Sequence, residues 1–176
     1  MPELTLDELN TAPLDDRLHN TLRACCAAQP WIDAIAGGRP YADEATLMQS
    51  SDEATHALDA TGIAAALAGH PRIGDRSAGQ GAWSAQEQAG VSAADVALRD
   101  HLTEANAEYE RRFGQVYLVC ATGKSGEELL GILQGRLGNS PDREQEVVRG
   151  ELAKINRLRL SKLLRDGGDV SLSTHG

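Results

Sequence analysis

Aromatic side chains are scarce in this 176-residue chain: two Trp, three Tyr and one Phe, 3% of the sequence. A pocket built from such a chain is expected to read its ligand through hydrogen bonds and backbone groups more than through ring stacking. Basic residues are also in deficit, with 17 Lys+Arg against 26 Asp+Glu and a formal charge of −9. Without a block of Lys and Arg, binding to a nucleic-acid backbone is excluded as a working hypothesis, and an anionic membrane surface is disfavoured for the same reason. β-Branched apolar residues are few, 7 Val and 6 Ile, too few for a large sheet. The three cysteines, two of them adjacent (Cys25, Cys26), form neither a disulfide framework nor a CxxC zinc pattern. No apolar run approaches the roughly 18 residues of a membrane span. Met1-Pro2-Glu3-Leu4-Thr5 has no basic-then-apolar leader pattern, and Ser173-Thr174-His175-Gly176 matches no lipidation or peroxisomal tail. The expectation is a soluble, reduced, cytoplasmic protein with no nucleic-acid or membrane partner.

What the chain does have is 26 Ala and 22 Leu. Both lose little rotamer freedom in a helix, so the expected fold is all-α: a single compact domain, residues 1–176, of about eight helices with one short extended segment. Thr5-x-x-Glu8 has capping-box spacing and predicts a first helix ending near Pro13. Leu14, Leu18, Leu22 and Cys25 mark one helical face running to about Gln29. Trp31 and Ile35 predict a short helical turn before Gly37-Gly38-Arg39-Pro40. Asp43 caps a helix through about Leu58, and Thr61 starts another through Leu67, stopped by Gly69 and His70-Pro71. Arg72 to Ala82 reads as a loop. Ser84-x-x-Glu87 and Ser92-x-x-Asp95 are start signals, the second opening a long helix with Leu98, Leu102, Ala105, Tyr109 and Phe113 on one face, ended by Gly114. Val116 to Cys120 is the one strand-like run; a single strand makes no sheet, so it is expected as a buried extended segment. Helices are expected at about Ser125–Leu137 and, from the Ser140-Pro141 start, at about Pro141–Arg165, with a frayed tail over 166–176.

Several residue groups could carry chemistry, and each has a plainer explanation. Thr122-Gly123-Lys124-Ser125 has the end of a phosphate-binding loop, but the first glycine of that motif would fall at position 118, which is Leu. A simple helix start is the better reading, and nucleotide binding at Gly123-Lys124-Ser125 stands only as an unfavoured rival. His19, His56 and His101 fall on helices as surface or boundary residues, and no His-x-x-x-His or Glu-x-x-His pair supports a metal site. His70 differs: it sits at a helix end, in Gly69-His70-Pro71-Arg72-Ile73-Gly74, where Pro71 restricts the backbone. That placement suits a general acid/base, although a helix-ending turn explains it as well. Ser84, Glu87 and Gln88 read as a capping box or, functionally, as a carboxylate beside a carboxamide at a helix start. Arg159 falls in the middle of the apolar stripe Val148, Leu152, Ile155 and Leu163, with Arg157 on the opposite face. A cation there is costly unless paired. An internal salt bridge and a bidentate clamp for a substrate carboxylate are both open.

Taken together, His70-Pro71-Arg72-Ile73-Gly74, Ser84-x-x-Glu87-Gln88-x-Gly90, Asn106-x-x-Tyr109-x-x-x-Phe113-Gly114 and Leu152-x-Lys154-Ile155-Asn156-x-Leu158-Arg159-Leu160 resemble the signature of the OHCU decarboxylases. OHCU is 2-oxo-4-hydroxy-4-carboxy-5-ureidoimidazoline, a product of urate oxidation and hydrolysis. The resemblance covers roughly Trp31 to Leu164 and is densest after Gly69. The chain departs from common members at Gln115-Val116, where many carry Phe-Pro. The resemblance implies an all-helical fold, commonly a homodimer, and cofactor-free, metal-free conversion of this small anionic substrate into (S)-allantoin and CO₂. OHCU also decays spontaneously, to racemic allantoin. By the same resemblance His70 is catalytic, with Glu87 and Gln88 holding the substrate and Ser84 beside them; Pro71 and the segment Leu118, Val119, Cys120, Ala121 and Thr122 line the pocket; and Arg159 contacts the ligand. The chemistry adds a second role for Glu87, orienting the His70 imidazole. A non-catalytic helical interaction module with the same fold is the principal rival.

Overall fold

The computed structural model describes residues 4–74 and 96–165, and every regular element among them is a helix. There are eight: α1 (Leu6–Thr11), α2 (Asp16–Cys25), α3 (Gln29–Gly37), α4 (Glu44–His56), α5 (Ala60–Leu67), α6 (Val96–Phe113), α7 (Gly126–Arg136) and α8 (Pro141–Arg165). Among the described residues no helix is long and apolar enough to cross a membrane. The chain divides into two compact units, residues 1–66 with 153–176 and residues 67–152, so α8 gives its first half to the second unit and its remainder to the first.

In the first unit the local signals act as expected. Thr5 accepts from the Glu8 N–H at 3.1 Å while Glu8 accepts from the Thr5 N–H at 2.8 Å, a complete capping box. Asp15 and Asp43 cap α2 and α4 through their side chains. Five details differ from the sequence pattern. Asp15 opens α2, so Leu14 lies before the helix and is 66% exposed instead of joining its apolar face. α2 ends at Cys25, and Gln29 belongs to α3, whose early Pro30 sits in the first turn, where its missing N–H costs nothing. The turn expected around Trp31 is a nine-residue helix, and Trp31, Ile32 and Ile35 are fully buried on it. Asp59 accepts from the Gly62 N–H at 2.8 Å, so α5 starts at Ala60, ahead of Thr61; α4 ends at His56, two residues short of Leu58.

Arg39 ties two helix ends of this unit together. Its guanidinium donates to the carbonyls of Leu9 (3.0 Å), Ala12 (2.6 Å) and Ala36 (2.8 Å). These are acceptors at the C-terminal ends of α1 and α3, where a positive charge also opposes the helix dipole. Trp31 Nε1 donates to Ser51 on α4 (3.1 Å), and Asn156 of α8 donates to Thr55 (3.1 Å). Arg157, on the polar face of α8, makes an ion pair with Asp52 at 2.6 Å.

The second unit is built around Ile73, Leu102, Ala105, Tyr109, Tyr117, Val119, Ala121, Leu129 and Leu133, all buried, from the bend after α5, from α6, from the segment after α6, and from α7. Gly114 ends α6 at φ +68°, a left-handed conformation that residues with a Cβ resist. The segment 116–121 has no regular secondary structure, and Tyr117 to Ala121 are all buried. Of the extended segment expected at Val116 to Cys120, the burial is present from Tyr117 onward, with Val116 half-buried.

Candidate functional site

The His70 bend is fastened at several points. The His70 N–H donates to the Leu67 carbonyl at 2.9 Å, closing the turn that follows α5. Two residues later, Arg72 forms a two-pronged ion pair with Glu110 on α6, Nε to Oε1 at 2.6 Å and Nη2 to Oε2 at 3.2 Å. Ile73 is buried in the same cluster as Val119 and Ala121, and its carbonyl accepts from Asn106 Nδ2 at 3.1 Å. Gly74 then turns the chain with φ +86°. His70 and Pro71 are half-buried. A helix-ending turn thus supplies what a proton-transfer group requires, a backbone held by packing, an ion pair and a buried hydrogen bond.

The segment Leu118 to Thr122 belongs to the same unit. Two cations reach its carbonyls. Arg136 of α7 donates from Nη1 to the Leu118 oxygen at 2.6 Å, and Lys124 donates from Nζ to the Cys120 oxygen at 2.8 Å. Tyr117, just ahead, donates its hydroxyl to the Leu129 carbonyl at 3.0 Å. The Lys124 contact and the Ser125 side chain, which accepts from the Glu128 N–H at 3.1 Å, give Gly123-Lys124-Ser125 the local roles of a turn and a helix cap.

Arg136 was not legible as a functional residue, yet it anchors a buried polar cluster. Its guanidinium is ion-paired with Glu144 of α8, with Nε to Oε1 at 2.7 Å. The same Glu144 oxygen accepts from the Tyr109 hydroxyl at 2.7 Å, and its other oxygen accepts from Asn139 at 2.9 Å. Arg136 also lies over the rings of Tyr117 (4.9 Å) and Tyr109 (5.8 Å). Burial works against the Arg136 charge, but the Glu144 hydrogen bond and charge outweigh it and raise its pKa. The Tyr109 hydroxyl is pushed up to about 12, first by burial and then by its bond to Glu144. The signal was present: Arg136 continues the stripe Leu129, Leu133 at helical spacing, and Glu144 precedes Val148 and Leu152 on theirs.

Arg159 lies in the first unit. It is buried, 6% exposed, as its position on the apolar stripe requires, and Nη1 is 3.4 Å from the Cys25 carbonyl. Cys25 and Cys26 are buried. Burial raises both thiol pKa values, that of Cys25 to about 12, while the Arg159 charge pulls in the opposite direction. Ser84, Glu87 and Gln88 lie outside the described residues.

The fold is of the all-α class, and a solved structure shares it. A crystal structure of OHCU decarboxylase in the presence of (S)-allantoin matches with a TM-score of 0.72 at 23% identity, covering 82% of this chain and 96% of that one. The chain belongs to the OHCU decarboxylase family, whose model matches residues 11–161. It is 33% identical over 137 residues to the 2-oxo-4-hydroxy-4-carboxy-5-ureidoimidazoline decarboxylase of Amia calva, covering 75% of this chain and 78% of that protein. It is also 26% identical over 159 residues to a uric acid degradation bifunctional protein of Arabidopsis thaliana, covering 86% of this chain and 49% of that protein.

Proposed function

We propose that this chain is a carboxy-lyase that converts OHCU into (S)-allantoin and CO₂ in urate degradation, without a cofactor. The observation that carries this reading is the family match across residues 11–161, which includes the His70 bend and Arg159. The fastened geometry of that bend supports His70 as the proton-handling group.

Loss of CO₂ leaves an electron pair on the carbon that bore the carboxylate. The adjoining ring C=N can accept that pair, so an external electron sink is not required. The protein's tasks are to hold the carboxylate out of the ring plane and to control the proton that arrives at one face. His70, steered by Glu87, handles the substrate hydroxyl or carboxylate proton and takes part in delivery to carbon. Arg159 and Gln88 fix the ureido and ring groups, with Ser84 beside them, and Pro71 and Leu118 to Thr122 form the wall. The enzyme is proposed to work in the cytoplasm as a homodimer, on this small anion alone.

Freshly generated OHCU followed by circular dichroism tests the reading. Catalysis gives optically active allantoin; a signal no larger than that of the protein-free decay would overturn it. A non-catalytic interaction module predicts the second result. For the nucleotide rival, ATP-induced thermal stabilisation is the corresponding check. The Lys124 and Ser125 contacts predict none.

A further inference from the structure

The cluster around Arg136 has no part in the chemistry above, yet one of its bonds ends on the proposed pocket wall. We propose that Arg136 and Lys124 are positioning residues for substrate recognition, holding the Leu118 and Cys120 carbonyls so that the backbone from Leu118 to Thr122 keeps one fixed arrangement against the ligand. This rests on the reading of that segment as pocket wall.

A buried segment outside helix and sheet has no ladder to fix its peptide groups, so other donors must do it. Here two cationic side chains reach carbonyls two residues apart, at 2.6 and 2.8 Å. The two grips hold the carbonyls on either side of Val119 and so restrain the backbone between them. The Arg136 fork is itself aimed: Nε is taken by Glu144 at 2.7 Å, and Glu144 is held by Tyr109 and Asn139. With Nε held by Glu144, Nη1 donates to the Leu118 carbonyl. A lysine at 136 keeps the charge but lacks the rigid planar fork that serves the two acceptors in fixed directions.

The test uses the full-length protein, fresh OHCU and product (S)-allantoin. In the ¹⁵N-labelled parent, (S)-allantoin is expected to shift the amide resonances of Leu118 to Thr122. If those resonances do not move, the segment is not the wall, and the underlying reading fails whatever the variants do. If they do move, Arg136→Lys is expected to raise KM roughly tenfold or more, the scale of a lost charged hydrogen bond, with kcat within about threefold. Lys124→Met is expected to raise KM in the same direction from the surface side. Tyr117→Phe removes a buried hydrogen bond of the same region that does not touch the wall carbonyls; it is expected to lower the melting temperature and leave KM unchanged. A parent KM in folded Arg136→Lys overturns the proposal, as does a KM rise of equal size in Tyr117→Phe. Should Arg136→Lys not fold, Lys124→Met decides, and a parent KM there also overturns it.

Discussion

Asn106 donates from Nδ2 to the carbonyl oxygen of Ile73 at 3.1 Å, and both residues are buried. The bond ties the bend that carries His70 to the middle of α6, beside the Arg72–Glu110 ion pair. Asn106→Ala leaves the Ile73 oxygen buried without this donor, at a cost of about 1–3 kcal/mol. The expected outcome is a lower urea midpoint together with a fall in kcat. Arg72→Gln breaks a pair whose arginine is 55% exposed, so it should change stability by less than about 1 kcal/mol. Equal destabilisation by the two variants would contradict this division of labour.

On the proposed roles, Arg159→Ala removes the clamp and leaves His70 in place. It should therefore raise KM far more than it lowers kcat. Arg159 also approaches the Cys25 carbonyl within the first unit, so far-UV circular dichroism of the variant must accompany the kinetics. A folded variant with parent KM would remove Arg159 from the binding set, and an unfolded one would assign it to the internal salt bridge that the sequence also allowed.

Glu144 presents the opposite case to a surface acid. It is fully buried, and it takes hydrogen bonds from Arg136, Tyr109 and Asn139. Glu144→Gln strands a buried guanidinium and should cost about 3–5 kcal/mol in denaturant unfolding. A loss below about 1 kcal/mol would show that Arg136 finds other compensation.

Alkali should weaken the fold through two buried protons. Cys25, normally near 9.0, is pushed up to about 12 by burial, and Tyr109, normally near 10.0, to about 12. The folded protein thus keeps these protons where the unfolded chain gives them up. Stability is full below pH 9 and declines as pH rises toward 12, by up to about 1.4 kcal/mol per pH unit for each group. Urea midpoints at pH 7.5 and 10.5 check this; equal midpoints would contradict it. The same burial keeps the Cys25 thiol protonated well above neutral pH. Iodoacetamide should therefore label Cys25 and Cys26 only after denaturation.

Much of this fold was readable from local rules. Thr5 with Glu8, Asp43, Ser125 and Ser140 cap helices through contacts only a few residues long, which is why their spacing suffices to find them; the Asp15 cap was missed because Leu14 continues the apolar spacing of Leu18 and Leu22 past it. The α2–α3 break was expected at about Gln29 and lies earlier, at Cys26 to Ala28, which includes neither glycine nor proline to mark it. The His70–Gly74 bend stood out through Pro71 and its flanking glycines, but its fastening to Asn106 and Glu110 depends on residues more than thirty positions away. Arg159 and Arg136 show the same limit from two sides. Each falls on an apolar stripe, and in both cases the structure buries it. Only the tertiary arrangement shows that Arg136 is neutralised by Glu144 and reaches Leu118.

His70 bears the central claim, and His70→Asn tests it most directly. The variant keeps a side chain of similar reach but cannot carry a proton near neutral pH. With fresh OHCU and circular dichroism detection, the parent should generate optically active allantoin. Folded His70→Asn should give only the racemic background. Optically active allantoin from His70→Asn at the parent rate would contradict the account.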